Sequence, residues 1–410
     1  MFRYVAVFSM VFVLALMALS GVVGNARAQD KLVIGLLSDQ TGALQQYGKE
    51  LEQGFMLGLK YATEGTMQVA GRALEVLVRD TQSNPATGAS QARELIEKDG
   101  AEVLVGAPSS GVALQLQQVA ADLDVILMAG PAASPAITGA NFHPNTFRAC
   151  RNTTQDFLAL TTVLKDTGVK KVVILAADYD FGRSSAVAAE AAYKGIGLEI
   201  AQTIYAPLNT TDFTAVLQQV LASGADALQP IWAGDTSVAL FKQISELGVL
   251  DKMTLITSFN SNPITKAAST EGEVGGIGSM VYHYTLPNNE INDWLVENHK
   301  AEYNGEFPDL FTECGFATAQ ALVAALKSTN GDTSTEAMIA ALEGLEWEGP
   351  RGTYVMRASD HQVMLPIYIV RLVNLTDPEF RFYELVREVP AEFVAPPCAL
   401  PEQYAERCKQ

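Results

Sequence analysis

The chain has 410 residues, 48% of them hydrophobic, and carries 28 Lys and Arg against 46 Asp and Glu for a formal net charge of −18. So acidic a chain repels nucleic acid and anionic lipid, and no basic stretch is long enough to offset this, so no nucleic-acid partner is expected. The acidity suits solubility and, more weakly, the attraction of cationic or zwitterionic solutes.

The N-terminus comes first. Met1-Phe-Arg3-Tyr carries a weak positive charge, residues 5–19 form an apolar run, and Ala26-Arg27-Ala28 supplies a small-residue cleavage site. That order reads as a signal peptide over residues 1–28, with the mature protein periplasmic or secreted. The competing reading is an uncleaved anchor, since the run is nearly long enough to span a bilayer. Cleavage removes Arg3 and Arg27 and no acidic residue, taking the charge from −18 to about −20.

What remains is longer than one hydrophobic core usually holds and implies two domains. In the first half, strand-length apolar runs at 32–37, 74–78, 103–105 and 125–128 alternate with helical-period segments near 48–62, 85–98 and 112–121. Such β–α alternation predicts parallel sheets with right-handed crossovers. Two of these strands end in loops of small and hydroxyl residues, Gly106-Ala-Pro-Ser109-Ser110-Gly111 and Gly130-Pro-Ala132-Ala133-Ser134-Pro135. In an open α/β sheet, ligands sit beyond the carboxyl ends of the strands, and small side chains let them approach backbone N–H groups. The pattern therefore points to a cleft for a small polar molecule.

The alternation then restarts, with strands at 171–176, 198–205, 227–232 and 253–257 and helices near 153–165, 182–195, 212–222 and 236–247. After Tyr282 the order changes. Helices at 290–303, 312–327 and 334–342 precede strand-like runs at 352–357 and 363–373, as expected of a chain that returns to its first domain and crosses back. From about Asp377 the sequence is rich in Pro and charge and is expected to wrap the surface.

The four cysteines all follow residue 28, an even count that makes disulfides plausible in an exported protein. Cys398 and Cys408 are close neighbours in a Pro-rich tail and are expected to pair. Cys150 and Cys314 then either pair with each other or remain as buried thiols. The cysteine spacing and the scattered His143, His283, His299 and His361 fit no metal site, and no cofactor is expected.

Catalytic motifs are missing too. Gly106-Ala-Pro-Ser109-Ser110-Gly111 lacks the spacing of a nucleophile elbow, and Gly275-Gly276-Ile-Gly278 lacks that of a dinucleotide fingerprint. The chain reads as a binding protein rather than an enzyme, with a secreted hydrolase as the remote alternative.

An ordered set of residues resembles the Leu/Ile/Val-binding-protein family, the type I periplasmic solute-binding components of ABC importers. The set opens with Leu32-Val-Ile-Gly35, Thr41-Gly42, Tyr47-Gly48 and Gly54. It continues through Gly106, Ser109-Ser110, Ala133-Ser134-Pro135-Ala136-Ile137-Thr138, Phe147-Arg148 and Gln155-Asp156. It closes with Asp178-Tyr179-Asp180-Phe181-Gly182 and Thr211-Asp212-Phe213. The resemblance implies an α/β protein of two Rossmann-like lobes joined by a three-crossing hinge. Lobe 1 would be residues 30–148 plus 284–354, lobe 2 residues 149–283 plus 355–376, and 377–410 a C-terminal tail. The function implied is capture of a small polar metabolite, an amino acid or related compound, by a monomer that delivers it to a membrane permease. A receptor ectodomain of the same fold, or a binder of amides, urea or aromatic acids, is the alternative.

Site residues follow from the same resemblance. Tyr47 would cover the ligand from lobe 1 and Phe181 from lobe 2, with Trp232 beside them. Ser109 or Ser110 would bond its carboxylate, and the Ala132-Ala133-Ser134 loop would take both charged ends. Two positions depart from the family's amino-acid binders. Ala133 stands where Thr is frequent, and Phe259 falls near the usual acidic partner of the ammonium, which leaves Asp235 as the candidate substitute. Each residue also has a plain structural reading. Ser109, Ser110 and Asp235 fit helix N-caps, Ser134 fits a turn, and Tyr47, Phe181 and Trp232 fit core packing.

Overall fold

The computed structural model describes residues 31–409; the apolar start and its cleavage site lie outside the described residues. The chain begins with β1 (Lys31–Ser38), α1 (Gln45–Ala62), a short β2 (Gln68–Val69), β3 (Arg72–Asp80), α2 (Pro85–Glu97), β4 (Val103–Gly106), α3 (Ser110–Asp122), β5 (Ile126–Ala129) and β6 (Thr146–Phe147). These strands form one six-stranded sheet in the order β2-β3-β1-β4-β5-β6, parallel except for the β2–β3 hairpin. Its interior strands β4 and β5 are buried along their whole length, as a sheet covered on both faces by helices requires. Asn84 starts α2 by accepting from the amides of Ala86 and Thr87, with Pro85 in the first turn.

The register places Leu37 beside Gly106 and Gly106 beside Ala129. The strands therefore stop together, and the loops that follow all open at one edge of the sheet.

The second series runs α4 (Thr153–Leu164), β7 (Lys171–Ala177), α5 (Asp180–Gly195), β8 (Glu199–Ala206), α6 (Thr214–Ala222), β9 (Ala227–Ile231), α7 (Ser237–Glu246), β10 (Thr254–Leu255), β11 (Thr257–Ser258), α8 (Asn262–Ala268) and β12 (Ile277–Met280). Strands β10-β9-β7-β8 form a parallel sheet. The expected single strand at 253–257 divides at Ile256, its first part pairing with β9 and its second with β12. Asn152 and Gln155 form a full capping box at the start of α4.

The chain then returns with α9 (Glu290–Glu302), α10 (Thr312–Ser328), α11 (Thr335–Leu342), and a small antiparallel sheet of β13 (Glu346–Gly349), β14 (Gly352–Met356) and β15 (Val363–Met364). Helix α10 covers the first sheet, Leu322 and Leu326 packing with Val103, Val105, Ile126 and Met128. It lies so close along α1 that a side chain at Gly54 would strike the Thr312 carbonyl. The expected strand 363–373 is interrupted at Pro366, whose ring removes a ladder donor. Its second part is β16 (Ile367–Leu372), which pairs antiparallel to β12 and, on its other side, to β17 (Tyr383–Val389).

Strand β17 corrects the expectation that the chain from Asp377 only wraps the surface, since it is a hydrogen-bonded edge of the sheet. Beyond it, Arg407 reaches the Ser359 carbonyl and pairs with Glu343. Both cysteine pairs are disulfides, Cys150–Cys314 and Cys398–Cys408.

Three segments pass between the two halves, after Phe147, after Met280 and after Met356. The first and third run side by side. Arg148 donates its N–H to the His361 carbonyl at 2.9 Å, and the Val363 N–H donates to the Arg148 carbonyl at 3.0 Å.

Candidate functional site

The carboxyl ends of the two parallel sheets face one another, and their loops enclose a cavity of about 80 Å³. From the first half come Leu44 and Tyr47, Pro108 after β4, Pro131 and Ala133 after β5, and Leu310 and Phe311 before α10. From the second come Tyr179, Phe181, Trp232, Phe241 and the Ser258-Phe259-Asn260 segment. Arg151, Thr153, Asp156 and Phe157 line it from the first crossing and the start of α4. Most of this wall is aromatic or aliphatic, with a few converging polar groups, the composition of a small-molecule site.

Of the residues singled out in the sequence, Tyr47, Ala133, Phe181, Trp232 and Phe259 line this cavity. Ser109, Ser110, Ala132 and Ser134 are buried on the same loops but stand behind its wall. Ser109 occupies the N-cap position of α3, yet no hydroxyl caps the helix. Instead Ser110 Oγ accepts from the Ser134 N–H at 3.2 Å, and Ser134 Oγ shares a 2.8 Å hydrogen bond with Ser184 Oγ. Asp235 is exposed at the rim, where the Gln45 amide donates to it at 3.4 Å. It does not cap α7, whose N-cap position belongs to Thr236.

Contacts between the halves surround the cavity. The Tyr47 hydroxyl donates to Asn260 Oδ1 and accepts from the Gly234 N–H. The Asp235 N–H donates to the Ala43 carbonyl, and the Asn262 N–H to Asp309 Oδ2 at 2.8 Å. Glu50, beside Tyr47, accepts from the Phe311 N–H at 2.9 Å, and burial pushes its carboxyl up to about 7. Asp309 is likewise raised, by burial first and then by the nearby Glu50 charge.

Two charged groups were not anticipated. Arg151 is 7% exposed and Asp156 2%; Arg151 Nε lies 3.3 Å from Asp156 Oδ2, and the guanidinium stacks over the Phe311 ring, 5.4 Å from its centroid. Burial raises the Asp156 carboxyl, while the charges of Arg151 and Arg351 oppose the shift. The local signal was a second arginine three residues after Arg148, just before the helix cap Asn152. The two arginines differ in use. Arg148 spends its guanidinium on the carbonyls of Ala132 and Ser134, Gln362 and Thr138, which fixes the loop after β5. Burial lowers its pKa to about 9.

Among the described residues no group of His, Cys, Asp and Glu could hold a metal ion. Nor is any of their helices long and apolar enough to cross a membrane.

Residues 31–377 match a family model described as periplasmic binding protein. Leu/Ile/Val-binding protein homolog 6 of Brucella melitensis is 25% identical over 373 residues, 89% of this chain and 93% of that protein. The crystal structure of an ABC-type branched-chain amino acid transporter protein from Rhodopseudomonas palustris is 34% identical, covering 91% of this chain and all of that one, with a TM-score of 0.74. A solute binding protein of an ABC transporter from another R. palustris strain, in complex with p-hydroxybenzoic acid, shares the fold with a TM-score of 0.81 at 21% identity, over 88% of this chain and 98% of that one.

Proposed function

The chain belongs to the periplasmic binding protein family of ABC transporters, and on that premise we propose that it captures a small polar metabolite between two lobes and presents the closed complex to a membrane permease. The observation that carries this reading is the cavity walled by loops from the carboxyl ends of both parallel sheets. Solute binding there adds contacts to both faces and shifts the population toward closure. Closure excludes water, so a few hydrogen bonds inside an apolar wall give firm binding.

The hinge we propose is the set of three crossings, with residues 30–148 plus 284–354 as the first lobe and 149–283 plus 355–376 as the second, which β17 extends at its sheet edge. No chemical step enters this reading: the protein binds and releases a solute unchanged. It acts as a periplasmic monomer after cleavage near Ala28.

An amino acid or related compound leads, in line with the names of the Leu/Ile/Val-binding relatives. The aromatic wall of Tyr47, Tyr179, Phe181, Trp232, Phe259 and Phe311 favours an aromatic acid as the second reading, and a structural neighbour was solved with p-hydroxybenzoic acid.

A thermal-shift screen of the purified protein against amino acids, amides, ureas and aromatic acids tests the reading. A solute that binds only the folded protein raises the melting temperature by mass action. One class is expected to do so; no shift with any class overturns the reading.

A further inference from the structure

Most polar groups at the cleft already have partners. Thr153 Oγ1 shares a 2.8 Å hydrogen bond with Ser185 Oγ, Ser258 Oγ one of 2.6 Å with Ser279 Oγ, and the Gln229 amide donates to the Pro230 carbonyl at 2.8 Å. Arg151 and Asp156 are the exception. Nε and Nη1 of Arg151 and Oδ1 of Asp156 are buried and meet no hydrogen-bond partner. The 3.3 Å approach of Nε to Asp156 Oδ2 is an ion pair set off the line of a hydrogen bond. Arg148, three residues earlier and also buried, uses its guanidinium on fixed acceptors. A structural role thus accounts for Arg148 and leaves Arg151 unexplained.

Buried charged groups without hydrogen bonds are costly, so this pair suits a head group that brings an acceptor to the guanidinium and a donor to the carboxylate. The pair is neutral in sum. A head group that is also neutral in sum adds no unbalanced charge to a dry cleft, whereas a bare anion or cation does.

Resting on the reading of this cleft as the solute site, we propose that Arg151 and Asp156 select the head group, the guanidinium taking a carboxylate and Asp156 Oδ1 an ammonium. The solute is then a zwitterionic α-amino acid whose apolar side chain lies among the rings of the wall. Asp156, reaching in from the hinge side, supplies the acidic partner that Phe259 cannot and that Asp235 is placed too far out to supply.

Calorimetric titration with solutes of matched body tests this. The probes are leucine, isocaproate and isoamylamine, and, with an aromatic body, phenylalanine, hydrocinnamate and phenethylamine. The protein is expected to bind one of the two amino acids about 100-fold more tightly than its carboxylate-only or amine-only analogue, the scale set by leaving one buried charge without its partner. Asp156→Asn should lower affinity for the amino acid about 100-fold while raising that for the matched carboxylate, which then balances an unpaired Arg151, an inversion of preference that a purely structural role does not produce. Arg151→Gln should weaken both. Melting curves without solute separate these effects from misfolding, and the selectivity of the unaltered protein stands as a test even where a variant folds poorly.

Isocaproate or hydrocinnamate bound as tightly as its amino acid overturns the proposal, as does Asp156→Asn with leucine and phenylalanine affinities unchanged. Binding of a benzoate or an amide with no response to either amino acid also overturns it, but leaves solute capture standing. Only silence across the full screen removes both.

Discussion

The Tyr47 hydroxyl donates to Asn260 Oδ1 at 2.9 Å, from the first turn of α1 to the loop after β11. It also accepts from the Gly234 N–H at 3.2 Å. Burial, the largest influence on Tyr47, raises its pKa well above the ordinary phenol value, so it remains a neutral donor. A residue expected to cover the ligand therefore also latches one half of the protein to the other. Tyr47→Phe keeps the ring and removes the latch. Solute affinity should fall about three- to tenfold, the worth of a hydrogen bond of roughly 1 kcal/mol, with the preference among solute classes unchanged. Calorimetry checks the first part, and small-angle scattering should show a larger open fraction without solute. Unchanged affinity and scattering would remove Tyr47 from closure.

The serine loop and Asp235 give the opposite pattern. Ser110 Oγ satisfies the Ser134 N–H from behind the cavity wall. Ser109→Ala with Ser110→Ala should cost about 1–3 kcal/mol of stability by leaving a buried donor unpaired, while affinity changes less than about fivefold in that well-folded fraction. Asp235→Asn, at an exposed rim position, should alter affinity by less than about threefold for cationic, neutral and anionic solutes alike. Denaturant titration and calorimetry on the same preparations decide both. A selective loss of cationic solutes in the Asp235 variant would return the ammonium role to that residue.

Two buried groups make pH a probe of the second crossing and the lobe contact. Burial lowers His283 to about 4, with its ring bonded to Thr285 Oγ1 and the Phe380 carbonyl. The unfolded chain then holds more protons between about pH 6.5 and 4, so this group's contribution is lost as pH falls through that window. Glu50, raised to about 7 by burial, acts in the other direction. The folded chain holds more protons between about pH 4.5 and 7, so its contribution declines as pH rises. The two slopes oppose each other across their shared range. Glu50→Gln should therefore unmask a gain in stability with rising pH relative to the parent. His283→Gln should unmask the reverse. Denaturation midpoints at several pH values from about 4.5 to 7.5 read both differences; parallel pH profiles for parent and variants would contradict the assignments.

The fold was legible where periodicity was strong. The strands around Leu32, Val103, Ile126 and Val172 have continuous apolar runs because helices cover both faces of their sheets, and they read correctly for that reason. Strand β17 was lost because five consecutive residues, Glu384 to Glu388, are exposed, so no face alternation marks it as an edge. The division at Ile256 was hidden because its two parts differ in partner rather than in residue type. In the site, aromatic residues close to glycine landmarks could be placed from sequence. Arg151 could not, since a charge beside a helix cap looks like any solvated turn until the crossing folds it inward, and Asp156 was legible only as part of the Gln155-Asp156 landmark, with no place at the site. Ser110 shows the converse: a hydroxyl at a strand end can serve the neighbouring loop, here the Ser134 N–H, as readily as a ligand.

The disulfides differ in what they hold, and that difference is measurable. Cys150–Cys314 joins residues 164 apart, tying the first crossing to α10, while Cys398–Cys408 closes a span of 10 within the tail. Gly130 sits at φ +151°, and a side chain there would strike Cys150 Sγ, so the bridge, the loop after β5 and the crossing are packed as one unit. Loop-closure entropy alone assigns about 5 kcal/mol to the long bridge and about 3 kcal/mol to the short one. Cys150→Ser with Cys314→Ser should thus lower stability more than Cys398→Ser with Cys408→Ser, by about 2 kcal/mol. Because Arg151 follows Cys150 directly, the first pair of substitutions should also weaken solute binding, and the second should leave it unchanged. Chemical denaturation and calorimetry on the two double variants measure both quantities. Equal stability losses with equal affinities would mean that the crossing is held by its hydrogen bonds to the 361–363 segment rather than by the bridge.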